Sequence, residues 1–137
     1  MHLKRYTDLS LRVLLYLGSY QGAEAVTVPH LVEHLGCSYN HLNKVMAFLR
    51  HQGWVTATRG RKGGFFIAPE ALKVGLGTLI ETIEGECSLI NCDKPACPFK
   101  EKGCPLIGPL AQARRSFYDT LNQKTLGQAL SQPTQKP

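Results

Sequence analysis

Residues 91–104, NCDKPACPFKEKGC, hold Cys92, Cys97 and Cys104 in a polar stretch broken by Pro95 and Pro98. Buried cysteine behaves as a small apolar residue and keeps apolar company. Here the neighbours are Asp93, Lys94, Lys100, Glu101, Lys102 and Gly103. The segment is built to hold sulfur near the surface, where thiolates ligate metals or take part in redox chemistry. The C-x4-C-x6-C spacing lacks the C-x2-C step of zinc knuckles, and structural zinc takes four protein ligands. Iron–sulfur clusters also use cysteine thiolates, and the Cys-Pro steps at 97–98 and 104–105 suit a proline-broken cluster loop. Pro105 fits the first position of a helix, which sets Cys104 at a helix start whose dipole favours the thiolate. Lys94, Lys100 and Lys102 offset the negative charge of a thiolate-bound group. On residue chemistry alone, an iron–sulfur cluster, zinc, and redox or incidental use all stand open.

The elements that position this loop belong to a chain of 137 residues, the size of one core. No apolar run approaches a membrane span and the N-terminus lacks a signal-peptide pattern, so a cytoplasmic protein with no membrane partner is expected. An odd count of five cysteines argues against a disulfide framework. The net charge of +6 is uneven. No acidic residue lies between Glu33 and Glu70, whereas Lys44, Arg50, Arg59, Arg61 and Lys62 fall inside that gap. Such a window is the electrostatic footprint of a nucleic-acid face, or else a solvated basic surface.

Apolar spacing predicts a helix over 6–20, with Thr7 as N-cap and Gly18 and Gly22 at its fraying end. TVPHLVEHLGCSYNHLNKVMAFLRHQG then predicts two helices joined by a tight turn. Thr27 caps the first, Pro29 sits near its start, Leu31, Val32 and Leu35 form its buried face, and Gly36 stops it. Ser38 caps the second, whose Leu42, Val45, Met46 and Leu49 recur at helical spacing before Gly53. This is a helix-turn-helix layout, or an ordinary helical hairpin with a solvated face. Under the first reading Ser38, Tyr39, Asn40, His41 and Asn43 reach base edges and Lys44 reaches a phosphate. WVTATRGRKGGFFIAP alternates as a strand, breaks at RGRKGG and resumes. That is a β-hairpin wing whose tip offers Arg59, Arg61 and Lys62 to phosphates or a narrow minor groove. The three features together point to DNA binding.

KVGLGTLIETIEG predicts a helix from Leu76 to Glu84, leading into the cysteine loop. In the final long helix Leu106, Leu110, Ala113, Phe117 and Leu121 recur every three or four residues, a stripe read as a dimer seam. The expected fold is mainly α with a small β-hairpin: a winged helix-turn-helix plus a long C-terminal dimerisation helix. Residues 1–75 form the DNA-binding unit, 76–130 the cluster loop and dimerisation helix, and 131–137 a disordered tail. No paired carboxylates, nucleophile–base set or phosphate loop supports an enzyme.

RYTDLSLRVLLYL, YNHLNKVMAFLRHQGWV, TRGRKGGFFIA, the Glu84-Gly85 step, the cysteine triplet and TLGQAL occur in an order and spacing that resemble one bacterial repressor family. The chain is similar over about residues 1–130 to the NsrR/IscR family of winged-helix iron–sulfur repressors, on its nitric-oxide-sensing side. The resemblance implies a homodimer that binds paired half-sites on double-stranded DNA, with one cluster per subunit. The cluster is expected to be 4Fe–4S, with 2Fe–2S as the alternative, and its nitrosylation relieves repression. IscR-type members place a histidine where this chain has Ile107, whereas NsrR-type members supply an aspartate across the dimer, matched here by Asp8. Asp8 also suits a first-turn pair with Arg12 at i,i+4. Sensing of iron or cluster supply is the rival within the family; zinc binding or electron transfer is the rival outside it. The x6 interval is one residue longer than the family's usual spacing, and Lys62 replaces a common wing glycine. Cys37 is read as core packing and Cys87 as structural.

Overall fold

A computed structural model describes residues 2–85, 89–93, 96–100 and 103–132 of the chain. The chain opens with α1 (Arg5–Ser19), whose Thr7, Ser10, Val13, Leu14 and Leu17 are buried along one stripe. The expected cap is corrected: Lys4 occupies the N-cap position without a side-chain cap bond, and Thr7 lies inside the helix. The helix start is fixed from outside instead. Lys4 N donates to Glu84 Oε1 at 2.8 Å and Lys4 Nζ to the Glu84 carbonyl at 2.7 Å. Gly18 also lies within α1, where the Leu130 side chain packs against its bare Cα.

Helices α2 (Val28–Leu35) and α3 (Tyr39–His51) follow the predicted caps. Thr27 Oγ1 accepts from His30 N, and Ser38 Oγ accepts from His41 N. Gly36 ends α2 at φ 60°, a left-handed conformation that a glycine adopts without Cβ strain. Leu42, Val45, Met46 and Leu49 of α3 are buried against Leu31 and the α1 stripe in one core cluster.

The wing consists of β1 (Val55–Thr58) and β2 (Gly64–Ile67), antiparallel with Val55 opposite Ile67 and Thr58 opposite Gly64. Buried Trp54 holds its base, because Trp54 N donates to the Leu49 carbonyl and Ala68 N donates to the Trp54 carbonyl. Val26, between α1 and α2, bridges to Phe65 through both backbone hydrogen bonds, at 3.0 and 2.8 Å. A Cβ on Gly64 would stand 2.7 Å from the Val26 carbonyl oxygen, so this close approach requires glycine.

The short helix α4 (Pro69–Lys73) precedes α5 (Leu76–Glu84), whose bounds match the apolar spacing. Beyond the cysteine loop come α6 (Ile107–Leu121) and α7 (Leu126–Leu130). Helix α6 begins two residues later than Pro105 predicts. Cys104 therefore lies in the turn before it, its carbonyl accepting from Ile107 N at 3.3 Å. Helix α7 closes the fold through a capping box between Thr125 and Gln128 and a backbone bridge from Gly75 to Thr125. Ser131 N still donates to the Gly127 carbonyl. The rest of the tail expected to be disordered, 133–137, lies outside the described residues.

Helices α5 and α6 cross at Gly77, where an added Cβ would meet the Tyr118 carbonyl oxygen at 2.1 Å. Asn122 Oδ1 locks the crossing by accepting from Thr78 N at 2.8 Å and Thr78 Oγ1 at 3.2 Å. Gly77→Ala is therefore expected to lower unfolding free energy by ~1–3 kcal/mol through overpacking, read by urea denaturation. Gly108→Ala on α6, where an added Cβ meets nothing within 4 Å, should leave stability unchanged or raise it by up to ~1 kcal/mol.

Candidate nucleic-acid interface and metal centre

The first turn of α3 presents Tyr39, Asn40, His41 and Lys44 to solvent, with Tyr39 52% exposed although it is aromatic. Ser38 is exposed too, but its hydroxyl is engaged in the α3 cap. The Lys44 carbonyl accepts from Tyr6 Oη at 3.3 Å, and Lys44 itself is exposed. Burial of Tyr6 beneath α3 pushes its phenol above its ordinary pKa. The wing stands beside this turn: Tyr39, Thr27, Thr58, Gly60 and Gly63 line a common groove. The exposed start of α3 and the wing thus border one groove.

At the wing tip Gly60 adopts φ 108°, and an added Cβ on Gly63 would stand 2.6 Å from the Thr58 carbonyl oxygen. Both glycines let the chain turn tightly while Arg59, Arg61 and Lys62 project into solvent. Among the described residues Arg59 and Arg61 form no ion pair, whereas Lys62 Nζ pairs with Glu24 Oε1 at 2.9 Å. The acid-free window in sequence is therefore not acid-free in space. Glu24 precedes the window along the chain, and the Val26–Phe65 bridge carries it to the wing. No spacing rule could have found that pair.

Among its described residues the cysteine loop is held by turns. Cys97 N donates to the Cys92 carbonyl at 3.1 Å and Lys100 N to the Cys97 carbonyl at 3.1 Å. Cys92, Cys97 and Cys104 are half-buried free thiols, and Cys87 lies outside the described residues. Asp93 accepts a hydrogen bond from Lys100, which together with their charge attraction raises the Lys100 pKa. Three thiols on one loop suit thiolate-loving metals, and clusters of iron and sulfide in particular. Among the described residues no group of three or more His, Cys, Asp or Glu gathers into a metal cage within one chain. The donor set fits such a group, and the single chain leaves it open.

Asp8 faces elsewhere. Its Oδ2 accepts from Arg12 Nε at 2.8 Å, the i,i+4 pair that the spacing permits, with both side chains more than half exposed. It lines a cleft of about 580 Å³ between α1 and the α2–α3 turn, together with Arg5, Arg12, Cys37, Ser38 and His41. Cys37 also packs against the core. That the cleft joins Asp8 to the start of α3 is a tertiary fact without a sequence signal.

Helix α6 is sparsely covered. Tyr118 is its one buried residue among those described, Leu106 and Ile107 are 59% and 49% exposed, and Leu110, Phe117 and Leu121 are half-buried.

Residues 3–132 match the Rrf2 family, described as an iron-dependent transcriptional regulator. The HTH-type transcriptional repressor NsrR of Streptomyces coelicolor is 34% identical over 137 residues, covering 98% of this chain and 91% of that protein. The oxidized form of Staphylococcus aureus CymR superposes with a TM-score of 0.74 at 21% identity, covering 98% of this chain and 100% of that one. IscR of T. potens gives 0.70 at 20% identity, with 99% and 94% covered. Those structural likenesses carry the winged-helix fold. With nearly its whole length matched, the chain belongs to the Rrf2 family of transcriptional regulators.

Proposed function

We propose that this chain is a dimeric, DNA-binding repressor that holds an iron–sulfur cluster on Cys92, Cys97 and Cys104 and responds to nitric oxide. The observation that carries the reading is a loop with three free, half-buried thiols joined to a winged helix-turn-helix. Similarity to the Streptomyces coelicolor repressor NsrR supports it. Ile107 argues against the IscR-type alternative, because an alkyl side chain offers iron no ligand. When bound, the cluster supplies iron reactive toward nitric oxide.

The chain's own residues do the rest. The exposed apolar edge of α6 is the seam between two copies, which sets the two copies of α3 at a fixed separation for paired half-sites. The recognition set is Tyr39, Asn40 and His41 at base edges, with Ser38 at the helix start, Lys44 on phosphate, and Arg59, Arg61 and Lys62 on the backbone or minor groove. Asp8 from one copy completes the ligand set of the other. Ligation through Oδ2 would cost its bond to Arg12, and an exposed pair of this kind is worth about 0.2–1 kcal/mol. The carboxylate is thus held ready yet surrendered at small cost. A coupling of ~3 kcal/mol between the ligand set and half-site spacing would change DNA affinity by roughly 150-fold.

Three outcomes test this reading. Alanine at Cys92, Cys97 or Cys104 is expected to abolish the visible chromophore of anaerobically purified protein, whereas Cys37→Ala keeps it. Colourless wild-type protein carrying stoichiometric zinc would overturn the cluster assignment. In DNA titrations across salt, Arg59→Ala and Arg61→Ala should each lower affinity and flatten the salt slope by about one. Glu24→Gln frees Lys62 and should strengthen binding at low salt. Unchanged slopes in all three variants would remove the wing from the interface. Asp8→Ala should loosen the cluster and alter its nitric oxide response, and Asp8→Cys should slow that response. If both react and bind DNA as wild type does, Asp8 serves only its pair with Arg12.

A further inference from the structure

A group of ionisable rings on α1 and α2 has no part in the reading above. His30 and His34 stand one turn apart on α2, with ring centroids 4.1 Å apart and planes inclined by 21°. Tyr16 of α1 spans both, its ring 5.6 Å from His30 and 5.4 Å from His34. Tyr20 closes the group by stacking on Tyr16.

The hydrogen bonds decide where the lone pairs lie. His34 Nδ1 is 2.8 Å from the His30 carbonyl oxygen. A carbonyl only accepts, so Nδ1 carries the hydrogen and the neutral ring keeps its lone pair on Nε2. Among the described residues that Nε2 has no hydrogen-bond partner, and His34 is exposed. His30 Nε2 meets Tyr16 Oη at 2.5 Å, and with the phenol as donor its lone pair also lies on Nε2. An N–H bonded to a backbone carbonyl is the outer partner that metal-ligating histidines characteristically have.

We propose that His30 and His34 form a chelating site for a borderline divalent transition-metal ion, with Zn²⁺ as the type case. Zinc–nitrogen bonds of about 2.0–2.1 Å place two tetrahedral ligand nitrogens roughly 3.3 Å apart. The rings stack with centroids 4.1 Å apart, so both side chains rotate to incline their planes and point the two Nε2 lone pairs at one ion. On binding, the ion exchanges two of its waters for the two Nε2 lone pairs. Tyr16 Oη leaves His30, keeps its proton and turns to solvent, so the electrons and protons balance without any other reactant. Imidazole suits zinc, copper and nickel, whereas hard ions such as Mg²⁺ prefer oxygen and would pass the site by. The site is independent of the cysteine loop and stands whether or not that loop holds a cluster.

The test is a Zn²⁺ titration of the ¹⁵N-labelled full chain, with excess over what the loop thiols bind, followed by long-range ¹H–¹⁵N imidazole spectra. The expected result is a shift of both Nε2 signals of His30 and His34, while their Nδ1–H signals persist and the His51 ring stays unchanged. His34→Gln should weaken zinc binding at His30 by at least ~10-fold, since loss of even an outer partner costs 10–100-fold. His34 is exposed, so the variant folds, and His51→Gln serves as the control that keeps full affinity. Zinc taken up with no change at His30 and His34, or equal shifts at every exposed histidine, would overturn the proposal.

Discussion

Burial of Val13, Leu14 and Leu17 on a single helix face is the constraint on which the other elements depend. Helix α1 packs against α2, α3, α5, α7 and β2, so the helix-turn-helix pair and the later helices share one scaffold. Because that stripe must face inward, the positions between its members face out, and these include Asp8 and Arg12. Thr7, at the end of the stripe, is drawn fully inside with its hydroxyl unpaired among the described residues. An unpaired buried hydroxyl costs about 1–3 kcal/mol. Apolar packing around it outweighs that cost, which is why a residue suited to capping ended up as core.

Local signals were legible wherever one side chain settles a local question. Thr27 and Ser38 cap α2 and α3 through bonds spanning three residues, Gly36 ends α2 with positive φ, and the period of Leu79, Ile80 and Ile83 bounds α5. The wing was legible for the same reason, since strand alternation and a glycine-rich break are both local. What sequence could not reveal is tertiary. Helices α4 and α7 have five residues each, too few for a period, and are stabilised by each other and by the Gly75–Thr125 bridge. The start of α6 slipped past Pro105 because the turn closing on the Cys104 carbonyl took up the intervening residues.

The candidate site follows the same division. Cysteine type and spacing were readable along the chain, and so was the i,i+4 pairing of Asp8 with Arg12. The Glu24–Lys62 pair and the cleft that Cys37 and Asp8 both line were not readable, because each joins segments that only the fold brings together. Asp8 lines a cleft between α1 and the α2–α3 turn, whereas the three thiols lie on the loop that follows α5.

The bridge between Val26 and Phe65 has a further consequence. Two backbone hydrogen bonds tie β2 to the segment that connects α1 with α2, and Gly64 lets the strands close to contact distance. A hairpin anchored only at Trp54 would sweep through many orientations in free solution, and DNA would have to quench that motion. Here the Val26–Phe65 bridge adds a second anchor. A hairpin held at two points has less orientational freedom to lose to any partner that binds it, so less ordering entropy is charged to such a step. The same tether joins the wing directly to the segment that follows α1.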